Sequence, residues 1–454
     1  MAEVTEPGTT GRFLILMRPD ASRAGLKALT ETAGLRVTST ADFENGAMSA
    51  ETLESAEAIF FDELAVAVVD APPEQLQRVS ALTAEESGIL VVEPERVVYA
   101  FEDAWRASTA GGLSTLAPEP PSTVRPLGAE RSEYLLGYRE AINHLVESIL
   151  GDGARPSGAA LGVGPAQLVW DETQVTWGLQ ATNVASSQFT GRGIKVAVLD
   201  TGLDLGHPDF VGRAIVSQSF VDGEAVQDGH GHGTHVIGTA CGPKQPSRLP
   251  RYGVAHQAEI FAGKVLSNRG SGTDSGILAG INWAIVNGCA IVSMSLGAPT
   301  VRGQSFSRIF ETVAQRALAR GVLIIAPAGN ESSRPTFIAP VGHPANCPSI
   351  MAVGALNQQL QVAPFSCGGI NPQGGQVDIA GPGVVVRSSW PRPLLYRTLQ
   401  GTSMATPHVA GIAALHAEAH PDMRGAVLGW LLMGSSRRLE QSSRDVGVGL
   451  VQAP

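Results

Sequence analysis

Five short, almost continuously apolar runs alternate with helical patterns in the C-terminal part of the chain, and this alternation constrains the fold most. A strand that is apolar on both faces is buried on both faces, which is typical of parallel sheets covered by helices. We therefore predict an α/β domain over residues 165–454, with a parallel sheet and helices on both of its faces. The runs are IKVAVLD (194–200), IFAGKVL (260–266), AIVSMSL (290–296), VLIIAPAGN (322–330) and SIMAVGAL (349–356).

A smaller α+β unit is predicted over residues 12–101. Its apolar runs predict strands at 12–17, 58–70 and 89–101, and its helical periodicity predicts helices at 22–34 and 73–87. The order approximates β-α-β-β-α-β, a ferredoxin-like arrangement. Residues 102–164 are predicted to be a linker, in which a Pro-rich and a Gly-rich stretch enclose a helical pattern near 132–150.

Charge and hydropathy exclude several classes of function. The formal net charge of −10 gives no electrostatic reason to bind nucleic acid or an anionic membrane, and no apolar stretch is long enough to span a bilayer. The apolar run at 13–17 is short and has no basic segment before it, so no signal peptide is visible. We expect the protein to act in the cytoplasm or to be exported by a non-standard route.

The four cysteines show no CxxC pairing, which argues against a structural zinc site. Buried free thiols are the expected state of Cys241, Cys289, Cys347 and Cys367. A disulfide between Cys347 and Cys367 stays open from the sequence alone.

Two Gly-rich segments carry a polar residue where a strand is predicted to end or a helix to begin. Asp200 closes the apolar strand of VAVLDTGLDLGHPDF (196–210), where a partly buried carboxylate needs a donor such as a histidine N–H. Ser403, in QGTSMATPHVAGIAALHAEAH (400–420), starts a helix whose N–H groups and dipole favour developing negative charge. Taken singly, an aspartate like Asp200 is more commonly a turn residue, and most serines placed like Ser403 are only helix N-caps.

A third segment, DGHGHGTHVIGTACG (228–242), holds His230, His232 and His235 in the spacing HxHxxH. Imidazole is a common zinc ligand, so a metal cluster would explain the three histidines. One histidine acting as a general base, with structural neighbours, explains them equally well. The motif by itself leaves both hypotheses open.

In chain order the three segments give Asp…His…Ser, each in a Gly-rich frame. DTG, HGTHVIGT and GTSMATPHVAG resemble the three signatures of the subtilisin-like serine peptidase family, and the resemblance runs from about residue 176 to 451. It implies a subtilisin-like fold and a serine endopeptidase that works through an acyl-enzyme. The implied catalytic triad is Asp200, His232 and Ser403, because His232 opens the HGTH of the motif.

The resemblance also implies an oxyanion site and a peptide-binding cleft. PAGNES (327–332) matches the family's asparagine motif, so Asn330 is the implied oxyanion donor. Two segments would pair with an extended peptide from both sides, and two small residues would line a pocket for an apolar side chain. These substrate-binding residues are Gly270, Ser271, Gly272, Ser295, Leu296, Gly297, Ala328 and Gly342.

The N-terminal unit resembles the family's propeptide, an intramolecular chaperone and inhibitor, chiefly through its closing segment VVEPERVVYAF. The resemblance implies a self-processing zymogen whose first cleavage follows Phe101. The implied partners are a protein or peptide substrate and the chain's own propeptide, and we expect a monomer. The sequence does not reveal the natural substrate or whether residues 102–164 are removed.

Calcium is the one cofactor that the family resemblance raises. Asp209 matches a family calcium ligand in its GHPD motif, but the partner loop GPKQPSRLPRYG (242–253) lacks the Asn and Asp residues that supply oxygen ligands. We therefore expect no cofactor and no metal, with Asp209 structural. The rival functions are a metal-dependent hydrolase and an inactive, peptide-binding family member; the presence of Asp200, His232, Ser403 and Asn330 disfavours the latter.

Overall fold

A computed structural model describes residues 8–71, 88–100 and 168–454. Residues 8–71, 88–100 and 169–454 belong to one compact unit. The predicted linker at 102–164, its helix near 132–150, the predicted helix at 73–87 and Phe101 lie outside the described residues.

The N-terminal residues form a sheet with two short helices. The elements are β1 (Thr9–Met17), α1 (Ser22–Lys27), β2 (Val37–Ser39), α2 (Ala50–Ser55), β3 (Ala58–Phe61), β4 (Val66–Val69) and β5 (Ile89–Ala100). The strand order is β5-β1-β4-β3-β2, antiparallel except for β2 with β3. The helix predicted at 22–34 is α-helical only to Lys27 and continues as a π-turn over Ala28–Thr32. Strand β2 and helix α2 were missed because three- and six-residue elements are too short for periodicity to detect.

The C-terminal residues contain a seven-stranded sheet in which every described pairing is parallel. The five predicted strands are all present, so the α/β prediction is confirmed. Up to residue 319 the elements are α3 (Trp177–Ala181), β6 (Lys195–Asp200), β7 (Ile215–Ser219), α4 (His232–Cys241), β8 (Glu259–Lys264), β9 (Ser271–Thr273), α5 (Asp274–Val286), β10 (Ile291–Met294), β11 (Leu296–Gly297) and α6 (Arg308–Ala319).

The remaining elements complete this sheet and add a separate hairpin. They are β12 (Leu323–Pro327), β13 (Met351–Leu356), β14 (Ile379–Pro382), β15 (Val386–Ser389), β16 (Tyr396–Leu399), α7 (Thr402–Ala419), α8 (Ala426–Ser435) and α9 (Ser443–Val446). The sheet order is β14-β13-β12-β10-β6-β8-β7, while β15 and β16 form a two-stranded antiparallel hairpin.

Each face of the parallel sheet builds its own core. Along β6, Val196 and Val198 pack in the core that contains residues of α4 and α7, whereas Ala197 and Leu199 pack in the core that contains residues of α5 and α6. This alternation is the period-2 geometry of a strand buried on both sides. It leaves Asp200 at the carboxyl end of a central strand, where sites form in such sheets.

One face of the N-terminal sheet packs on helices α5 and α6. Leu14, Phe61 and Val66 share a single buried cluster with Ile281 of α5 and Ile309 of α6. The other face has its own small core, which includes Ile15 and Leu29. The N-terminal unit is therefore docked through buried apolar surface, the largest favourable contribution to association.

All four cysteines are buried and free. Cys347 and Cys367 are therefore two separate thiols and do not form a disulfide. Burial raises the pKa of each thiol well above its ordinary value. Among the helices of the described residues, none is long and apolar enough to cross a membrane.

Candidate active site

Asp200 and His232 form a buried pair. Asp200 is the last residue of β6 and His232 the first of α4, so the strand end and the helix start fix both backbones. His232 Nδ1 lies 2.8 Å from Asp200 Oδ1 and 3.0 Å from Oδ2, and both side chains have no exposed surface. A carboxylate only accepts, so Nδ1 carries the hydrogen and Nε2 keeps the lone pair that a general base needs.

Asp228 holds the turn before α4 in place. Its Oδ1 accepts hydrogen bonds from Gly231 N (2.8 Å) and Thr201 Oγ1 (3.0 Å), and its Oδ2 accepts from Thr234 N (2.8 Å) and Oγ1 (2.7 Å). Capping of this kind satisfies the first N–H groups of the helix and thereby orients His232. The sequence reasoning missed Asp228, although it opens the motif that carries the three histidines.

The three histidines do not converge on one point. His235 is fully buried and its Nε2 donates to the carbonyls of Val386 (3.1 Å) and Arg397 (3.2 Å), on the far hairpin. Burial lowers the pKa of His235 to about 3, which keeps it neutral. Within residues 8–71, 88–100 and 168–454, no group of three or more His, Cys, Asp or Glu side chains could hold a metal ion.

Ser403 is the second residue of the 18-residue helix α7 and is completely buried. Its Oγ lies 3.4 Å from the carbonyl of Ser295, whose own hydroxyl donates to Ser403 O at 2.9 Å. Gly401 precedes the helix with φ +151°, and a Cβ there would come within 3.2 Å of Asn330 Nδ2. The glycine therefore lets the asparagine amide approach the start of the helix.

Asn330 is oriented by Thr402, a residue that the sequence reasoning passed over. Asn330 Oδ1 accepts hydrogen bonds from Thr402 N (2.9 Å) and from Thr402 Oγ1 (2.8 Å). With Oδ1 occupied on the Thr402 side, the Nδ2 donor is turned toward Gly401. Donors fixed before reaction are the arrangement that stabilises an oxyanion.

The predicted substrate cleft is filled by the end of β5. Ala100 pairs with Leu296 and Tyr99 with Gly297 on one side, while Tyr99 and Val98 pair with Ser271 and Gly272 on the other. Ala100 N also donates to Gly270 O at 2.8 Å. The two segments predicted to hold an extended peptide thus hold residues 97–100 of the chain itself, in antiparallel pairing on both sides.

The predicted pocket residues Ala328 and Gly342 are adjacent, since Gly342 N donates to Ala328 O at 2.9 Å. Both are buried. Ala328 follows β12 and lies two residues before Asn330, so the predicted pocket residue and the predicted oxyanion donor belong to one turn.

Asp209 does not fit a calcium ion. Its Oδ1 accepts from the backbone N (2.7 Å) and the hydroxyl (2.6 Å) of Ser247, and its Oδ2 accepts from the hydroxyls of Tyr252 (2.7 Å) and Tyr396 (2.9 Å). These donors lower the pKa of Asp209 against the opposing effect of burial. Both oxygens are already engaged by N–H and O–H groups, whereas a cation site presents oxygen lone pairs.

Comparison with known proteins identifies the family. The model of the Subtilase family matches residues 191–449. The chain is 42% identical over 250 residues to Subtilisin E of Bacillus subtilis (strain 168), a match covering 55% of this chain and 61% of that protein. It is 41% identical over 283 residues to Subtilisin Savinase of Lederbergia lenta, covering 62% of this chain and 97% of that protein. The chain thus spans about three fifths of the length of Subtilisin E.

Two solved structures are similar to the chain. A cold adapted subtilisin-like serine proteinase matches with a TM-score of 0.52 and 32% identity, covering 62% of this chain and 99% of that one. Sphericase matches with a TM-score of 0.53 and the same identity and coverage.

Proposed function

The chain belongs to the subtilase family of subtilisin-like serine peptidases, and from that membership we propose that it is a serine endopeptidase whose triad is Asp200, His232 and Ser403. The observation that carries the proposal is the buried Asp200–His232 pair, with Nδ1 at 2.8 Å from Oδ1. His232 opens helix α4, which shares a buried core with α7, the helix that carries Ser403 in its first turn. The substrates are extended protein or peptide segments that take the place of residues 97–100 between β9 and β11.

The chemistry assigned to each residue follows from its position. Ser403 Oγ attacks the scissile carbonyl while His232 Nε2 takes the proton and later returns it to the leaving amine. Asp200 holds the His232 tautomer and stabilises the imidazolium that forms. Asn330 Nδ2 and the Ser403 backbone N–H, at the positive end of α7, stabilise the oxyanion of the tetrahedral intermediate.

We further propose that the N-terminal unit is an intramolecular inhibitor and that the chain is a self-processing zymogen. The register of β5 supports this, because Ala100, its last residue, pairs with Leu296, the sequence neighbour of Ser295, whose carbonyl lies 3.4 Å from Ser403 Oγ. The first cleavage would then follow Phe101.

Two carboxylates support docking of the inhibitor. Glu93 Oε1 accepts from Arg308 N at 2.8 Å, at the start of α6, and Glu95 Oε1 accepts from Ser275 N at 2.9 Å, at the start of α5. Negative charge at a helix N-terminus is favourable. We also propose that the active enzyme is a monomer and needs no metal; the engagement of both Asp209 oxygens by N–H and O–H donors supports the second point.

Ser403→Ala tests the function. Wild-type chain should hydrolyse casein, be inactivated by a serine-directed phosphonate and resist EDTA, and Ser403→Ala should be inactive. The matched control is Ser443→Ala, which removes a hydroxyl from α9 and should keep wild-type rates. Equal rates for wild type and Ser403→Ala would refute the triad, and complete loss in EDTA with phosphonate resistance would favour a metal-dependent hydrolase.

N-terminal sequencing tests the zymogen proposal separately. Active wild-type protein should begin at or after residue 102, whereas Ser403→Ala should remain uncut. An intact Phe101–Glu102 bond in active enzyme would rule out this processing site while leaving the peptidase assignment untouched.

A further inference from the structure

A buried carboxylate of the catalytic part contacts a basic residue of the chain that fills the cleft. Asp274 opens helix α5 and has no exposed surface. Its Oδ2 lies 3.1 Å from Arg96 N and 3.4 Å from Arg96 Nη1. The backbone contact would be made with any residue at this place, but the second contact is with a positive charge.

The carboxylate is held in position from its other side. Asp274 Oδ1 lies 3.1 Å from His343 Nε2, and the His343 side chain is only 4% exposed. His343 is fixed by two backbone hydrogen bonds with Ala298, of 2.8 and 2.9 Å, and its ring packs edge-on against Phe310 at 4.7 Å. Asp274 is therefore preorganised by the catalytic part itself and does not depend on the N-terminal unit for its orientation.

The position of Arg96 along the strand defines which substrate residue would reach Asp274. Val98 pairs with Gly272 and Ala100 with Leu296, so Arg96 lies two residues before the Gly272 partner. Counting back from a scissile bond after residue 101, with P1 as the residue before the bond, Arg96 occupies P6.

Arg96 has a second carboxylate partner that leaves with it. Glu93 Oε2 lies 3.4 Å from Arg96 Nη2, but Glu93 belongs to the same strand β5. Once the N-terminal unit is displaced, Asp274 loses its contact with the Arg96 guanidinium, and solvent or a bound substrate takes that place. A buried carboxylate without a cation is costly, and a substrate cation would restore the pair.

We propose that Asp274, oriented by His343, is a specificity-determining residue that selects peptide substrates with Arg or Lys at P6. This inference rests on the proposed function. The chain's own tail would then be one example of the preferred substrate, with Arg96 at the selected position.

The test uses processed wild-type enzyme and two quenched fluorescent peptides. One has the sequence of residues 94–105, and the other differs only by Gln in place of Arg96. A partly buried, charge-assisted contact should make kcat/KM roughly five- to tenfold higher for the Arg peptide. Asp274→Asn should abolish the difference by slowing cleavage of the Arg peptide alone, while the matched control Asp422→Asn, at an exposed aspartate, should keep it.

Equal cleavage of both peptides by wild type, or a preference that survives in Asp274→Asn, would overturn the inference while leaving the peptidase intact. No cleavage of either peptide or of casein would refute the proposed function, and the inference with it. If Asp274→Asn does not fold, a third peptide with Lys in place of Arg96 decides on wild type. It should be cleaved faster than the Gln peptide, because it keeps a cation at P6, and a rate equal to that of the Gln peptide would overturn the inference.

Discussion

Thr402 offers the sharpest test of how Asn330, the proposed oxyanion donor, is held. Asn330 Oδ1 accepts two hydrogen bonds from this one residue, 2.9 Å from its backbone N and 2.8 Å from its hydroxyl. Thr402→Val keeps the shape of the side chain and the backbone bond but removes the hydroxyl, which donates to Asn330 Oδ1 and accepts from Gly329 N at 3.2 Å. The Asn330 amide should then be less well oriented when negative charge develops on the substrate.

The size of the effect follows from the bond that is lost. A hydrogen bond contributes about 0.5–1.5 kcal/mol net, and about 1.4 kcal/mol corresponds to a tenfold change in rate. Thr402→Val should therefore lower kcat by about two- to twelvefold with little change in KM. The ceiling is roughly 10²–10³-fold, the cost measured on subtilisin itself for loss of the equivalent asparagine, which is not a value derived from this structure.

Initial rates on the residue 94–105 peptide, normalised to active-site concentration, give kcat and KM. Thr402→Ser retains the hydroxyl and should behave as wild type. In an Asn330→Ala background, Thr402→Val should cause no further loss, because the group that it orients is gone. A wild-type kcat in Thr402→Val, or a full second loss in the double variant, would refute the argument.

Three further outcomes are expected. Asp200→Asn should lower kcat by about 10⁴-fold on the same peptide, since the His232 tautomer is no longer held; retention of a tenth of the activity would contradict this role. Burial lowers the pKa of His235 to about 3, below the unfolded value of about 6.5. The unfolded chain therefore binds more protons between these pH values, and stability falls as pH drops. The free energy of unfolding of the uncleaved Ser403→Ala chain, measured in urea, should fall from pH 7 to pH 5. Adding His235→Gln should make this fall smaller by up to about 2 kcal/mol, and an equal fall in both chains would contradict the argument. Four hydrogen bonds engage the Asp209 carboxylate, so EDTA should leave Tm unchanged. Tyr252→Phe removes one of these bonds and should lower the free energy of unfolding by about 1–2 kcal/mol. A fall of several degrees in Tm on adding EDTA would argue for a bound cation.

The sequence predicted the parallel sheet and the candidate residues because both have local signatures. An apolar β-branched run indicates a strand that is buried on both faces, and glycines around Asp200 or Ser403 indicate that two backbone segments approach closely. The short elements β2 and α2 have too few residues for a period to appear, and they were missed.

Contacts between distant segments have no such signature. His232 is distinguished from His235 by its partner: it contacts Asp200, 32 residues away in sequence, whereas His235 hydrogen-bonds to the β15–β16 hairpin. The support from Thr402 to Asn330 spans 72 residues, and the pair of Asp274 with His343 spans 69.

The sequence by itself thus determined the fold class and the family and supplied the candidates for the reactive side chains, through patterns a few residues long. Only the tertiary structure decided that residues 97–100 fill the cleft, that Asp209 is engaged by hydroxyls, and that Asp274 is positioned beside Arg96. The physical reason is that pairing and burial are properties of two surfaces brought together, and neither surface encodes its partner in its own local sequence.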